Sequence, residues 1–227
     1  MKNPIIISLG GSLIVPGELD VNFLKSFSEL IKAQVALGKK FVIIAGGGKT
    51  CRRYQDAAVK IVSPSKDDLD WIGISATKIN AELIRVVFAD LAHASVIVDD
   101  GVLPNVQTSI AIGAGRVPGH SSDYDAVLLA SESEAYSIIN LSNIDYLYDK
   151  DPKRFPDAKK LEKISWSDFG KIFPEAEWSP GGNWPFDPVA AKEAQKLGLE
   201  VVIMNGANLD NLKNYFEGKS FVGTTIR

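Results

Sequence analysis

Apolar and polar positions fall into blocks along this chain, and the blocks predict its elements. The β-branched runs Ile5–Leu9 and Phe41–Ala45 have no polar alternation and read as strands buried on both faces. Between them Phe23, Leu24, Phe27, Leu30, Ile31 and Val35 recur at helical spacing, which predicts a core-facing helix over 20–37 with Asp20 as N-cap and Gly38 as its stop. Tyr54, Ala57, Ala58 and Ile61 predict a helix over 50–62. Ile72, Ile79, Leu83, Ile84 and Val87 predict another running toward Asp90, opened by Asp67-Asp68-Leu69-Asp70, carboxylates that oppose the positive end of the helix dipole. Further strands are expected at 95–98, 108–112, 136–141 and 201–204, with a closing one at 221–226. Helices are expected around Val127-Leu128-Leu129, at 187–197 with Pro188 in first position, and at 208–216, with a short one behind the capping pair Ser165 and Asp168. Residues 153–163 read as basic and turn-like, and 174–185, rich in proline, glycine and tryptophan, as a loop or lid. Strands that alternate with helices predict an α/β fold: a mostly parallel central sheet sandwiched between helices, with ligands at the C-terminal ends of the strands.

Three of those strands run straight into glycine, 108–112 into Gly113 and the first two into runs of it. Gly10-Gly11-Ser12 follows the first and Gly46-Gly47-Gly48-Lys49 the second. Bare backbone there brings N–H groups close to an anion, and the helix that follows the second turn adds its positive end. Glycine runs also make plain tight turns, so either turn alone is weak; two near the N-terminus are harder to dismiss.

Composition narrows the chemistry. At 227 residues, 45% hydrophobic and 23% charged, the chain is an ordinary globular one, expected to form a single domain over 1–227. No apolar run approaches the roughly 18 residues of a membrane span, and the start Met1-Lys2-Asn3-Pro4 lacks a signal-peptide layout, so no membrane partner and a cytoplasmic location are expected. Cys51 is the sole cysteine, which excludes an intrachain disulfide and a cysteine-built metal site; beside Arg52 and Arg53 it reads as a reactive thiol or, better, as a small semi-buried residue. A net charge of −3 shows no basic excess for nucleic acid, which is not expected as a partner. A small anion remains compatible.

Several residues carry two readings. Lys49 and Arg52, just after three glycines, suit a phosphate better than a merely solvated helix start. Asp70 reads equally as a helix-start charge or a ligand contact, and Asp123 as a helix N-cap or a site acid. His120 reads as a loop residue, His93 as structural, Tyr148 as core, Asp151 before Pro152 as a turn, and Trp166 and Trp178 as packing.

With these turns, Pro118-Gly119-His120-Ser121-Ser122-Asp123, the stretch Asn143-Ile144-Asp145 through Tyr148 to Asp151-Pro152, Asp187-Pro188-Val189-Ala190-Ala191-Lys192 and Gly223-Thr224-Thr225-Ile226 in this order, the chain resembles the amino-acid kinase family over nearly its whole length, and its archaeal-type uridylate kinases most. The resemblance implies the three-layer fold of carbamate kinase and its relatives. It implies transfer of the γ-phosphoryl group of ATP to UMP, giving UDP and ADP in pyrimidine nucleotide biosynthesis. It implies an acceptor-binding part over roughly 1–135 and an ATP-binding part over roughly 136–227. Gly47, Asp70, Pro118, Gly119, His120, Ser121 and Ser122 would then face UMP, and Gly11, Ser12, Gly48, Arg52, Ser142, Asn143, Tyr148 and Asp151 would face ATP. Gly10 would add a backbone N–H, and Lys49, Arg52 and Asp123 would be catalytic, Asp123 by ordering cationic groups. Mg2+ would travel on the ATP phosphates with no metal site of the protein's own, and a homo-oligomer, a hexamer built of dimers, would be the assembly.

The chain departs from the family at Ser8, where many members carry a phosphate-reaching lysine, leaving Lys49, Arg52, Lys192 and Arg116 as substitutes. It departs again at Tyr146, usually glycine, and at Gly181-Gly182-Asn183-Trp184, usually richer in serine. Two alternatives stay open: a kinase of the family for another phosphate, carboxylate or alcohol, and, because of Ser8, a non-catalytic nucleotide-binding homologue.

Overall fold

The computed structural model describes residues 1–174 and 184–227; most of the expected lid, with Gly181, Gly182, Asn183 and Trp178, lies outside the described residues. Strands β1 (Ile5–Leu9), β2 (Phe41–Ala45), β3 (Ile110–Gly113), β4 (Ser137–Ser142) and β8 (Glu200–Asn205) form the parallel heart of a seven-stranded sheet. Its order is β3-β2-β1-β4-β8-β9-β7, with β9 (Thr224–Ile226) antiparallel to β8 and β7 (Lys163–Ile164) parallel to β9.

Helices cover both faces, as the unbroken apolar strands require. Ile7, Leu9, Ile43, Ile139 and Val202 pack against α2 (Val21–Ala36), α4 (Lys66–Val87) and α8 (Leu209–Phe216). Ile6, Val42, Ile138 and Val201 pack against α5 (Ser122–Glu132), α6 (Trp166–Ile172) and α7 (Pro188–Lys196). Each large apolar side chain so buried contributes about 1.5–3 kcal/mol against the entropy of ordering the chain. Asp20, Asn208 and Ser165 cap α2, α8 and α6, and Gly38 takes φ +86° where α2 stops.

Several expectations are corrected. Residues 95–98 form no strand; Ile97 makes an isolated bridge to Gly113, and its N–H reaches the Ile112 carbonyl at 2.7 Å, so the β3 edge is paired irregularly. The closing strand shortens because Asn211 takes over the Val222 backbone, donating to its carbonyl and accepting from its N–H at 2.7 Å each. Residues 153–163 are less irregular than expected: β5 (Leu147–Tyr148) and β6 (Lys160–Leu161) pair antiparallel, and β7 follows, all two residues long. A single turn, α1 (Gly11–Ile14), leaves β1, and α3 (Gly48–Ile61) begins inside the glycine run. No helix among the described residues is long and apolar enough to cross a membrane.

Candidate active site

The two glycine turns leave the C-terminal ends of neighbouring strands in the interior of the sheet and meet there. Leu9 lies beside Ala45 in register. A Cβ on Gly11 would stand 2.0 Å from the Gly48 nitrogen, and one on Gly46 would stand 2.5 Å from the Gly11 nitrogen, so the turns pack backbone on backbone with no room for a side chain. Gly48 takes φ +61°, a left-handed conformation that favours glycine. Among the described residues no backbone acceptor takes the N–H groups of Gly11, Ser12, Gly47 or Gly48. Gly10 is a correction: its N–H donates to the Leu141 carbonyl at 2.9 Å, within the sheet, and is not turned to an anion.

Three adjoining cavities lie here, two of them opening on this seam. A pocket of about 300 Å³ is lined by Gly47, Arg52, Asp70, His120, Ser121 and Asp123, among others. A groove of about 560 Å³ runs past Gly11, Ser12, Gly48, Lys49 and Arg52. A cleft of about 610 Å³ lies between Ser142, Asn143, Tyr146, Tyr148, Asp151 and Trp184. Pocket and groove share Gly11, Gly47, Cys51, Arg52 and Gln55; pocket and cleft share Ser142, Trp184 and Pro185; groove and cleft share Asn143.

At the floor of the pocket stands Asp123. Ser8 and Asn140 are partners in register on β1 and β4, and both donate to Asp123 Oδ1, the hydroxyl at 2.8 Å and the amide at 2.9 Å. The Asp187 N–H reaches Oδ2 at 3.4 Å. Burial, opposed by the Ser8 hydrogen bond and reinforced by the charge of Asp187, raises the Asp123 carboxyl to about 6. Asp123 does not cap α5. Ser121 does, accepting the Asp123 N–H at 3.1 Å.

The loop before α5 is tied down on two sides. Asp70 accepts the Gly119 N–H at 2.8 Å. Asp187 caps α7 through the Val189 and Ala190 N–H groups and accepts the Ser121 N–H at 2.7 Å with its other oxygen. Deeper in, Arg116 donates to Asp125 at 3.0 Å, to Asp100 and to Glu132 at 3.5 Å. Two nitrogens of this buried guanidinium are so engaged and the third, Nη2, is buried without a partner among the described residues, but Arg116 lines none of the three cavities, which removes it as a substitute for the missing lysine. Burial also raises the Asp125 carboxyl, against the pull of His120 and then of Arg116. It raises the Cys51 thiol as well, with Arg52 pulling the other way, so the semi-buried reading of Cys51 holds.

A model of the amino acid kinase family matches residues 3–205. The chain belongs to the amino acid kinase family. It is 34% identical to the uridylate kinase of Thermococcus gammatolerans over 218 residues, covering 95% of this chain and 96% of that one. It is 30% identical to the uridylate kinase of Thermoplasma volcanium over 227 residues, 100% and 98% of the two chains. The crystal structure of uridylate kinase from Archaeoglobus fulgidus superposes with a TM-score of 0.84 at 30% identity, covering 100% of both chains.

Most of the positions that the sequence singled out in this amino acid kinase line the joined cavities. Asp70, His120, Ser121, Ser122 and Asp123 line the pocket, Ser12, Gly48 and Lys49 the groove, and Tyr148 and Asp151 the cleft. Gly47 and Arg52 line pocket and groove together. Pro118 and Gly119 line none of the three; Gly119 enters through its N–H to Asp70. Asp70 lies beyond the first helical turn, which is held by the Ser65–Asp68 capping box, and it is buried where a dipole charge would be exposed. Tyr146 sits in the cleft with Lys160 4.8 Å over its ring. Sequence reasoning missed Asp187, Asn140 and Asn80. Asn140 carried a signal, a polar residue inside an apolar strand run; the second contact of Asp187 lies 66 residues away and carried none.

Proposed function

We propose that the protein is a UMP kinase of the cytoplasm, transferring the γ-phosphoryl group of ATP to UMP to give UDP and ADP. The observation that carries this is the seam itself: two bare backbone turns, pressed together where an acceptor-sized pocket, a groove and a larger cleft join. UMP would occupy the pocket, held by Gly47, Asp70 and the loop 118–122, and ATP the cleft and groove, held by Gly11, Ser12, Gly48, Ser142, Asn143, Tyr148 and Asp151. Apart from Gly11, Ser12 and Gly48, which would reach ATP from the first part, the chain would divide into an acceptor part over roughly 1–135 and an ATP part over roughly 136–227.

The acceptor oxygen is already an anion, so the site has no proton to remove and works by positioning and by neutralising charge on the moving group. Arg52 lines both the pocket and the groove and Lys49 lines the groove; these supply the charge that Ser8 does not. Asp123 orients what surrounds it and takes no proton from substrate. Among the described residues no cluster of three His, Cys, Asp or Glu side chains is placed to hold a metal ion, and Mg2+ would arrive on the ATP phosphates. The chain would assemble with copies of itself, and exposed apolar side chains on α3 and α4, Tyr54, Trp71 and Ile79 among them, support this.

The alternative acceptors have no structural feature in their favour, and Ser8, which prompted the non-catalytic alternative, is part of the Asp123 network. Incubation with UMP and Mg-ATP, followed by 31P NMR, is expected to show UDP and ADP forming one for one. A homogeneous protein that leaves UMP untouched while phosphorylating another acceptor overturns the proposal.

A further inference from the structure

The glycine cradle has a fastener that its own sequence does not show. Asn80 lies on the inner stripe of α4, 3% exposed, and its side-chain amide donates to the Gly46 carbonyl at 2.8 Å and to the Gly47 carbonyl at 3.2 Å. The same stripe holds two other backbone pieces, with Asp70 accepting the Gly119 N–H and Thr77 accepting the Gly115 N–H at 2.9 Å. α4 therefore sets the acceptor loop and the cradle against each other.

Peptide geometry turns that contact into a statement about the cradle's donors. All peptide bonds described are trans, and in a trans peptide the C=O and the next residue's N–H point in opposite directions. A pinned Gly46 carbonyl fixes the Gly47 N–H, and a pinned Gly47 carbonyl fixes the Gly48 N–H. Neither of those two N–H groups has a backbone acceptor among the described residues. The Gly47 carbonyl also accepts the Cys51 N–H at 3.3 Å; neither bond alone is short. Three successive glycines have no Cβ to resist a peptide flip, and a flipped peptide would present a carbonyl oxygen to the anion.

We infer that Asn80 is a positioning residue for phosphate recognition: its amide locks two adjacent cradle peptides so that their N–H groups face the phosphates of acceptor and donor. The inference deepens the kinase proposal and rests on the cradle's phosphate-binding role. It predicts a selective defect. Asn80 lines none of the three cavities and reaches the site through the Gly46 and Gly47 carbonyls, so its loss should narrow the preference for UMP over uridine and leave uridine binding in place.

The test compares Asn80→Leu, with the same branching and no hydrogen-bonding group, and Asn80→Asp, close in size and shape with acceptors where the donor was. Calorimetry with UMP, uridine and ATP is expected to show UMP and ATP weakening about tenfold or more in both variants, and uridine changing less than about twofold. Folded variants that bind UMP and ATP as the wild type does overturn the inference. So does uridine weakening in step with UMP, which would make Asn80 a prop for the whole pocket. A wild type that binds UMP no better than uridine overturns the kinase proposal together with it. If neither variant folds, NMR of the wild type decides: the Asn80 side-chain amide protons should exchange slowly with solvent, and the Gly47 and Gly48 amide signals should shift on titration with inorganic phosphate. Fast exchange at Asn80, or unmoved glycine signals, counts against the inference.

Discussion

Replacing Asp123 with asparagine should make the unliganded protein more stable at neutral pH and less active. In the wild type, the carboxylate is held by the Ser8 hydroxyl, the Asn140 amide and the Asp187 N–H, with burial and the neighbouring Asp187 charge raising its pKa from 3.8 to about 6. An acid whose pKa is higher in the folded state binds a proton on folding between those two values, so stability falls as pH rises through that window. Well below pH 3.8 the group is neutral in both states, and once the pH is clearly above 6 ionisation has cost roughly 3 kcal/mol. The asparagine keeps an oxygen for Ser8 and Asn140 but turns an NH2 toward the Asp187 N–H, which offsets about 1 kcal/mol. The net gain of about 2 kcal/mol corresponds to a melting temperature roughly 4–8 °C higher for a domain of this size. Melts of both proteins from pH 4 to pH 8 should show curves that lie closest at the acid end and separate on the alkaline side. UDP formation should fall in the same variant. A variant that melts lower at pH 8, or a difference that ignores pH, refutes the account of Asp123.

Arg52→Ala should raise KM for both UMP and ATP and lower kcat/KM by roughly 100-fold, because the residue lines both the pocket and the groove; unchanged steady-state kinetics would remove it from the site. Gly11→Ala forces the two turns apart and should cost roughly 100-fold in turnover, whereas Gly17→Ala, with nothing within 4 Å of the added methyl, should be silent in the same assay. Arg116→Met takes the hydrogen-bonded guanidinium from buried Asp125, leaving only the more distant His120 beside it, and should destabilise by about 3 kcal/mol or more in urea unfolding. Much of that loss should return in the double variant with Asp125→Leu.

The layered fold was legible because its cues are local. Unbroken runs such as Phe41-Val42-Ile43-Ile44-Ala45 announce strands buried on both faces, and the caps at Asp20, Ser165, Asp187 and Asn208 sit where their side chains can accept the first helical N–H groups. What failed was set by distance along the chain. The two-residue strands β5, β6 and β7 are too short to show a period, and Asn211 diverts residues 221–222 from the sheet by a contact eleven residues away. The glycine turns were visible one at a time, but their contact depends on the register of β1 with β2. Ser8 looked like a missing cation, and only its pairing with Asn140 across β1 and β4 makes it a donor to Asp123. Asn80 sits in an ordinary amphipathic helix, and nothing in α4 itself points to the cradle.

The central claim is that one seam of backbone holds two nucleotides end to end. A bisubstrate compound joining adenosine to uridine through five phosphates tests it most directly, titrated calorimetrically against the protein alone and the protein saturated with UMP or with ATP. The account predicts one molecule bound per chain, more tightly than either nucleotide, and excluded by each of them. Binding that competes with only one nucleotide, or with neither, would contradict it.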